Sequence, residues 1–150
     1  MAKSFAQQVD EWTRKTKARV SAVHKKSVEL LADEMSTSVR EGGRVPYKDG
    51  NLARSLLAST TGMPKTAEGP FSGASVGIVT ATLRVDQPVW LGYQAVYARR
   101  QNYGFVGADV LGRVYNQQGS YFVEYAIDMW PTIVKRAAEK TRQGVESRGT

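Results

Sequence analysis

Cysteine is absent from the 150 residues. That excludes disulfides and thiolate metal sites, and it fits a reducing compartment. Histidine occurs once, at His24, so this chain cannot build a histidine metal site by itself. No apolar run reaches the ~20 residues that a membrane-spanning helix needs. The first stretch, MAKSFAQQVDEW, lacks the apolar centre of a signal peptide. The expectation is a protein made and used in the cytosol, with no membrane partner. Acidic residues are in the minority, 14 Asp and Glu against 21 Lys and Arg, for a net charge of +7. Such a balance favours acidic partners such as nucleic acid or an acidic protein surface. It is equally compatible with a plain soluble basic surface.

The length suits one domain spanning 1–150 with one modest core. Residues 4 to 40 read as one long helix. Phe5, Val9, Trp12, Val20, Val23, Leu30, Leu31 and Met35 recur mostly in steps of three and four. Thr16 and Ser27 interrupt that stripe. Arg14, Lys15, Lys17, Lys25 and Lys26 form the opposite face. Ser4 is placed to cap the start, and Gly42-Gly43 to end it. A helix of this length, roughly 50 Å, must lie across something larger than its own core.

The stretch GGRVPYKDGNLARSL follows. Pro46 biases Val45 toward extended backbone. Asp49-Gly50-Asn51 reads as a turn, with Asp49 or Asn51 capping a short helix over Leu52 to Leu57. A phosphate-binding loop needs two glycines five apart followed by Lys and Ser or Thr, and a preceding strand; this stretch has neither.

Residues 56 to 96 read as strands of one small antiparallel sheet of three or four members. SVGIVTATLRV is β-branched, with Val76, Ile78, Thr80 and Thr82 on one face. PVWLGYQAVYA forms a second strand, and Leu56 to Thr60 a shorter one. TGMPKTAEGPFSGAS between them is a Gly/Pro loop. NYGFVGADVLGRVYNQQGS is either a hairpin with a flexible tip or a long loop that orders on assembly. Residues 120 to 142 form a second major helix, kinked or broken at Pro131. The polar tail, 143 to 150, is expected to fray. The fold class is thus α+β: a small antiparallel sheet flanked by a long N-terminal helix and a kinked C-terminal helix.

No catalytic constellation assembles from these residues. His24 lies beside Lys25 and Lys26 and reads as a surface histidine. Glu124 and Asp128 are one helical turn apart and could share a cation, but no third ligand is evident. Arg99 and Arg100 adjoin Tyr97 and Tyr103, an arrangement able to stack bases and neutralise phosphates. The same residues equally describe tyrosines packed in the fold with arginines at a protein interface. No cofactor is expected.

Two segments carry a family resemblance. VPYKDGNLARSL resembles the Val-Pro-x-Asp-Thr-Gly-x-Leu-x-x-Ser signature of tail-completion proteins, the minor tail or head–tail joining components of long-tailed phages. Val45, Pro46, Gly50, Leu52 and Ser55 match; Lys48 and Asp49 replace its Asp and Thr. VYARRQNYG is similar to that family's Pro-Tyr-Ala followed a few residues later by Glu-Tyr-Gly or Glu-x-Gly. Tyr97, Ala98, Tyr103 and Gly104 match; Val96 replaces the proline and Asn102 the glutamate. The element order agrees over nearly the whole chain. The resemblance implies a non-enzymatic virion part, assembled in the host cytoplasm and located at the neck or tail end. It implies a ring, commonly of six copies, that caps the tail tube and docks it to the head connector. Partners are then other copies, tail-tube and connector proteins, with genomic DNA a possible contact in the lumen. Under this reading subunit or partner contacts fall on Val45, Pro46, Tyr47, Gly50, Leu52, Tyr97, Arg99, Arg100, Tyr103, Gly104, Phe105, Val110, Leu111 and Tyr115. The alternative reading is a small basic nucleic-acid-binding protein that uses the first helix's basic face.

Overall fold

The computed structural model describes residues 2–73 and 75–148. Helix α1, Phe5–Ser36, opens with a reciprocal cap: Ser4 Oγ accepts the Gln7 amide, and the Gln7 side chain accepts the Ser4 amide. This satisfies two amides that the first turn otherwise leaves unpaired. The helix stops at Ser36, earlier than the sequence suggests, because Thr37 turns extended and donates its amide back to Asp33. A 3-10 turn, Val39–Glu41, then leads into Gly42, whose φ is +87°.

A short helix does follow the Asp-Gly-Asn turn, but α2 covers only Asn51–Arg54 in place of Leu52 to Leu57, with Gly50 and neither Asp49 nor Asn51 at its N-cap position, because Leu56 and Leu57 already pair in a strand. Strand β1, Leu56–Ser59, pairs antiparallel with β2, Trp90–Tyr93, in the register Leu56 to Tyr93 and Ser59 to Trp90. Helix α4, Ala98–Tyr103, runs directly into β3, Gly104–Ala108. Strand β3 pairs antiparallel with β4, Val114–Gln118, so the glycine-rich segment is a hairpin. The α+β class holds, with two separate two-stranded sheets in place of one sheet of three or four.

The main correction concerns SVGIVTATLRV. Residues Ser75–Ala81 form helix α3. Its β-branched residues predict a strand, but Thr80 and Leu83 are buried while Ile78 is 71% exposed. Within α3 the inward residues Val76 and Thr80 are one helical turn apart, and packing on α1 and β1 decides the conformation over the local β preference.

Helices α5, Phe122–Asp128, and α6, Trp130–Arg148, are separated at Met129. Pro131 sits in the first turn of α6, where its missing amide costs nothing. The backbone of α6 continues to Arg148, past Arg142, where the sequence suggests fraying; residues 149 and 150 lie outside the described residues.

Among the described residues the core includes two apolar clusters, with Val28, Ile133 and Ala137 buried besides. One joins Ala32 and Met35 of α1 to Leu56 and Ala126. The other joins Val45, Leu52, Ala95 and Phe122. Tyr93 packs against both. Its ring meets Phe122 edge-on at 5.2 Å, and its hydroxyl donates to the Met35 carbonyl at 2.5 Å. Burial pushes the Tyr93 phenol well above its usual range.

Candidate functional site

The two motif segments, some fifty residues apart in sequence, meet in space. The Asn51 side-chain amide donates to the Tyr97 hydroxyl at 3.0 Å. Asn51 Oδ1 lies 3.4 Å from the Phe71 amide and accepts it. The Asn51 amide itself donates to Asp49 Oδ1 at 2.9 Å, closing the Asx turn the sequence predicts. Gly50 takes φ +81°, a left-handed conformation that glycine adopts freely. Around this junction Pro46, Tyr47, Leu52, Tyr97 and Gln101 line an open cleft of 430 Å³.

The junction sorts the predicted contact residues. Val45 and Leu52 are 0% and 4% exposed and belong to the core, so they hold the site and do not present it. The apolar character that marks them in the motif serves packing. Gly50 is also buried. Tyr47 and Tyr97 are 39% and 37% exposed and form the walls. Arg40 stacks over the Tyr47 ring at 4.2 Å, a cation–π contact that holds one wall in place.

A second group surrounds the α4–β3 connection. Arg99 and Arg100 are exposed. Arg100 stacks over Phe105 at 4.2 Å, and Phe105 packs against Tyr115 with ring centres 6.2 Å apart. Tyr103 lies edge-on to Tyr121. The Glu124 carboxylate, hydrogen-bonded to the Tyr103 hydroxyl, pushes that phenol above its usual range. Gly104, at φ +86°, allows α4 to pass directly into β3. A Cβ there would lie 2.5 Å from the Gln117 carbonyl of β4. Val110 and Leu111 stand at the hairpin tip, 102% and 73% exposed.

Sequence reasoning missed the residue that organises this tip. Asp109 Oδ1 accepts the amides of Leu111 and Arg113, each at 2.9 Å. Its Oδ2 accepts Arg113 Nε at 2.6 Å and the Tyr115 hydroxyl at 3.1 Å. An Asp at a hairpin turn followed by Gly112 carries a legible signal; its reach to Tyr115 does not.

The remaining candidates separate. His24 is half-buried, with Nε2 3.3 Å from the Gln87 carbonyl. Glu124 is engaged by Asn102. Among the described residues no three His, Asp or Glu side chains group to hold a metal ion. No helix among them is long and apolar enough to cross a membrane. On the basic face of α1, Lys15 pairs with Glu11 at 2.9 Å and Lys26 with Glu29 at 3.2 Å. Arg14 and Lys17 point into solvent. Compared with family models, curated proteins and solved structures, the chain matches none.

Proposed function

We propose that this chain is a non-catalytic structural subunit of the neck of a long-tailed bacteriophage. In this reading it is a tail-completion or head–tail joining component that closes into a ring, expected to hold six copies, between tail tube and head connector. The observation that carries the reading is the Asn51–Tyr97 junction. The two segments that resemble the family's motifs form one unit, with Val45 and Leu52 in its core and Tyr47 and Tyr97 on its surface. A shared packing unit explains why such residues would travel together in a family without an active site. The exposed apolar side chains of Phe5, Val9 and Trp12 on the first half of α1 also fit a subunit whose surface is completed by other chains.

The test is assembly. Phage particles made without this chain are expected to accumulate as separate heads and tails, and added purified protein to restore joined particles. Heads and tails that join equally well in its absence would overturn the reading. Tight duplex binding by the isolated protein, weakening steeply as salt rises, would instead favour the nucleic-acid-binding alternative on the basic face of α1.

A further inference from the structure

The apolar stripe of α1 has two halves. Toward the C-terminal end, Val20, Val23 and Ser27 line one cleft with Trp130 and Val134 of α6, so Val20 stands at its edge, half exposed. Toward the N-terminal end the same stripe continues through Val20, Thr16, Trp12, Val9 and Phe5, in steps of four, four, three and four. From Thr16 to Phe5 it runs beyond the cleft shared with α6. Phe5 is 82% exposed, Trp12 67%, Val20 51% and Val9 44%. These four side chains leave roughly 400 Å² of apolar surface in water, the size at which a patch marks an interaction site.

A second bare patch lies on the hairpin. The register sets Val106, Ala108 and Val114 on one face, since Ala108 is opposite Val114 and Val106 opposite Asn116. Val106 and Val114 are 77% and 82% exposed, and Val110 and Leu111 extend the patch over the tip. The other face carries Phe105 and Tyr115, which pack on each other. Asp109 fixes the turn through four hydrogen bonds, so the patch is held in shape before any partner arrives. An isolated two-stranded ribbon is marginal in water, which makes this degree of order notable for a segment with so little packing of its own.

We propose that the bare stripe of α1 in one copy packs on the hairpin patch of a neighbouring copy, as a head-to-tail contact; this rests on the self-assembling neck reading above. Three features select a second copy of this chain. The dimensions agree: Phe5 to Val20 spans roughly 22 Å of helix, and each five-residue strand roughly 17 Å with the tip beyond it. Joined, the two patches remove roughly 1,000 Å² in total, the lower bound for specific association. The charges agree as well. Lys3 and Lys15 are taken up by Glu11, but Arg14, Lys17 and Arg19 still outnumber Asp10 along the stripe, so a parallel pairing of two such helices would set cations side by side. Residues 104 to 120 carry only Asp109 and Arg113, which are paired with each other. The arm therefore meets a neutral surface. Because the two patches are different surfaces, the contact does not stop at a dimer: it repeats, and it forms the ring of the neck reading when the rotation between copies closes.

The native absence of cysteine makes the test clean. A W12C chain is mixed with an L111C chain at high concentration under mild oxidation, with a K65C chain as an exposed control. The expected product is the mixed W12C–L111C disulfide, at least tenfold above pairs involving K65C. Predominant W12C–W12C dimers, or no preference over the control, would overturn the contact. In parallel, W12D and L111D chains should each keep the melting temperature and lose self-association at least tenfold. Their mixture should form a one-to-one dimer and stop there, since one good contact survives. Self-association that persists in both variants overturns the proposal. The neck reading fails separately. Cross-links without restored head–tail joining leave the contact standing and remove the neck role; restored joining without cross-links does the reverse.

Discussion

Asn102 caps a helix that starts twenty residues further along the chain: its Oδ1 accepts the Val123 amide at 3.0 Å. The cap is needed because Tyr121, at the α5 start, sits at φ 49° and offers no side-chain cap. Asn102 Nδ2 also donates to Glu124 Oε2 at 2.8 Å. One buried side chain thus ties α4 to α5. Asn102→Ala removes both bonds from a residue only 3% exposed. The expected cost is about 1–3 kcal/mol, a fall in melting temperature of roughly 3–10 °C. Thermal unfolding followed by circular dichroism reads it, and an unchanged midpoint would contradict the capping role.

Gly50 and Gly43 have different reasons to be glycine. At Gly50 the φ of +81° is strained for any β-branched residue, and an added Cβ would meet Arg54 Nη1 at 2.6 Å. Gly50→Val is expected to destabilise by about 2 kcal/mol. At Gly43 an added Cβ would lie 2.1 Å from the Thr37 carbonyl oxygen. Backbone cannot swing away as a side chain can. Gly43→Ala should therefore unfold at lower denaturant than Gly42→Ala, which carries only the roughly 1–2 kcal/mol cost of a left-handed φ, since its added Cβ meets nothing within 4 Å. Equal midpoints for the Gly43 and Gly42 variants would argue against the close approach.

Glu11 is flanked by Lys3 and Lys15. Hydrogen bonds from Lys3 and then Lys15 hold its carboxyl down, to about 2 from an ordinary 4.5. A carboxylate depressed in the folded state contributes stability that is fully present above the unfolded pKa and lost as pH falls through the folded one. The window is therefore about pH 4.5 down to about 2. The group is exposed, so salt should screen the effect. Carbon-detected NMR titration of the Glu11 carboxyl is expected to give a midpoint near 2 at low salt, rising in 1 M salt. A midpoint near 4.5 at low salt would show that neither lysine holds it.

Asp109→Ala separates order at the hairpin tip from stability of the fold. Its partners are Leu111, Arg113 and Tyr115, all within the hairpin. The melting temperature should change little, while amide exchange at Leu111 and Arg113 accelerates and self-association weakens. Exchange rates unchanged from the native chain would mean that the strands alone hold the tip.

Helix α1, its Ser4 cap, the Asp-Gly-Asn turn, the β1 and β2 strands and the break at Pro131 are legible because each depends on neighbours within a few positions. Capping boxes, Asx turns and proline geometry are local physics. Helix α3 was not legible: its β-branched residues point to a strand, and only contact with α1 and β1 reverses that. The choice between hairpin and loop for residues 104 to 119 likewise needed the β3–β4 register. In the candidate site, Tyr47 and Tyr97 could be singled out from their motifs. That Val45 and Leu52 lie beneath the surface could not, because an apolar residue in a loop motif reads the same whether it packs inward or outward.

By itself the sequence determined the α+β class, the long amphipathic helix, the basic balance and the absence of any thiol chemistry. All of these follow from composition and from spacings shorter than one helix. Tertiary structure alone decided that the two motifs form one junction through Asn51 and Tyr97, and that Asn102 caps a distant helix. It also decided that half of the α1 stripe is left bare. Those outcomes depend on which residues far apart in the chain are brought together: a local apolar pattern marks a face for burial, but it does not name the surface that covers it.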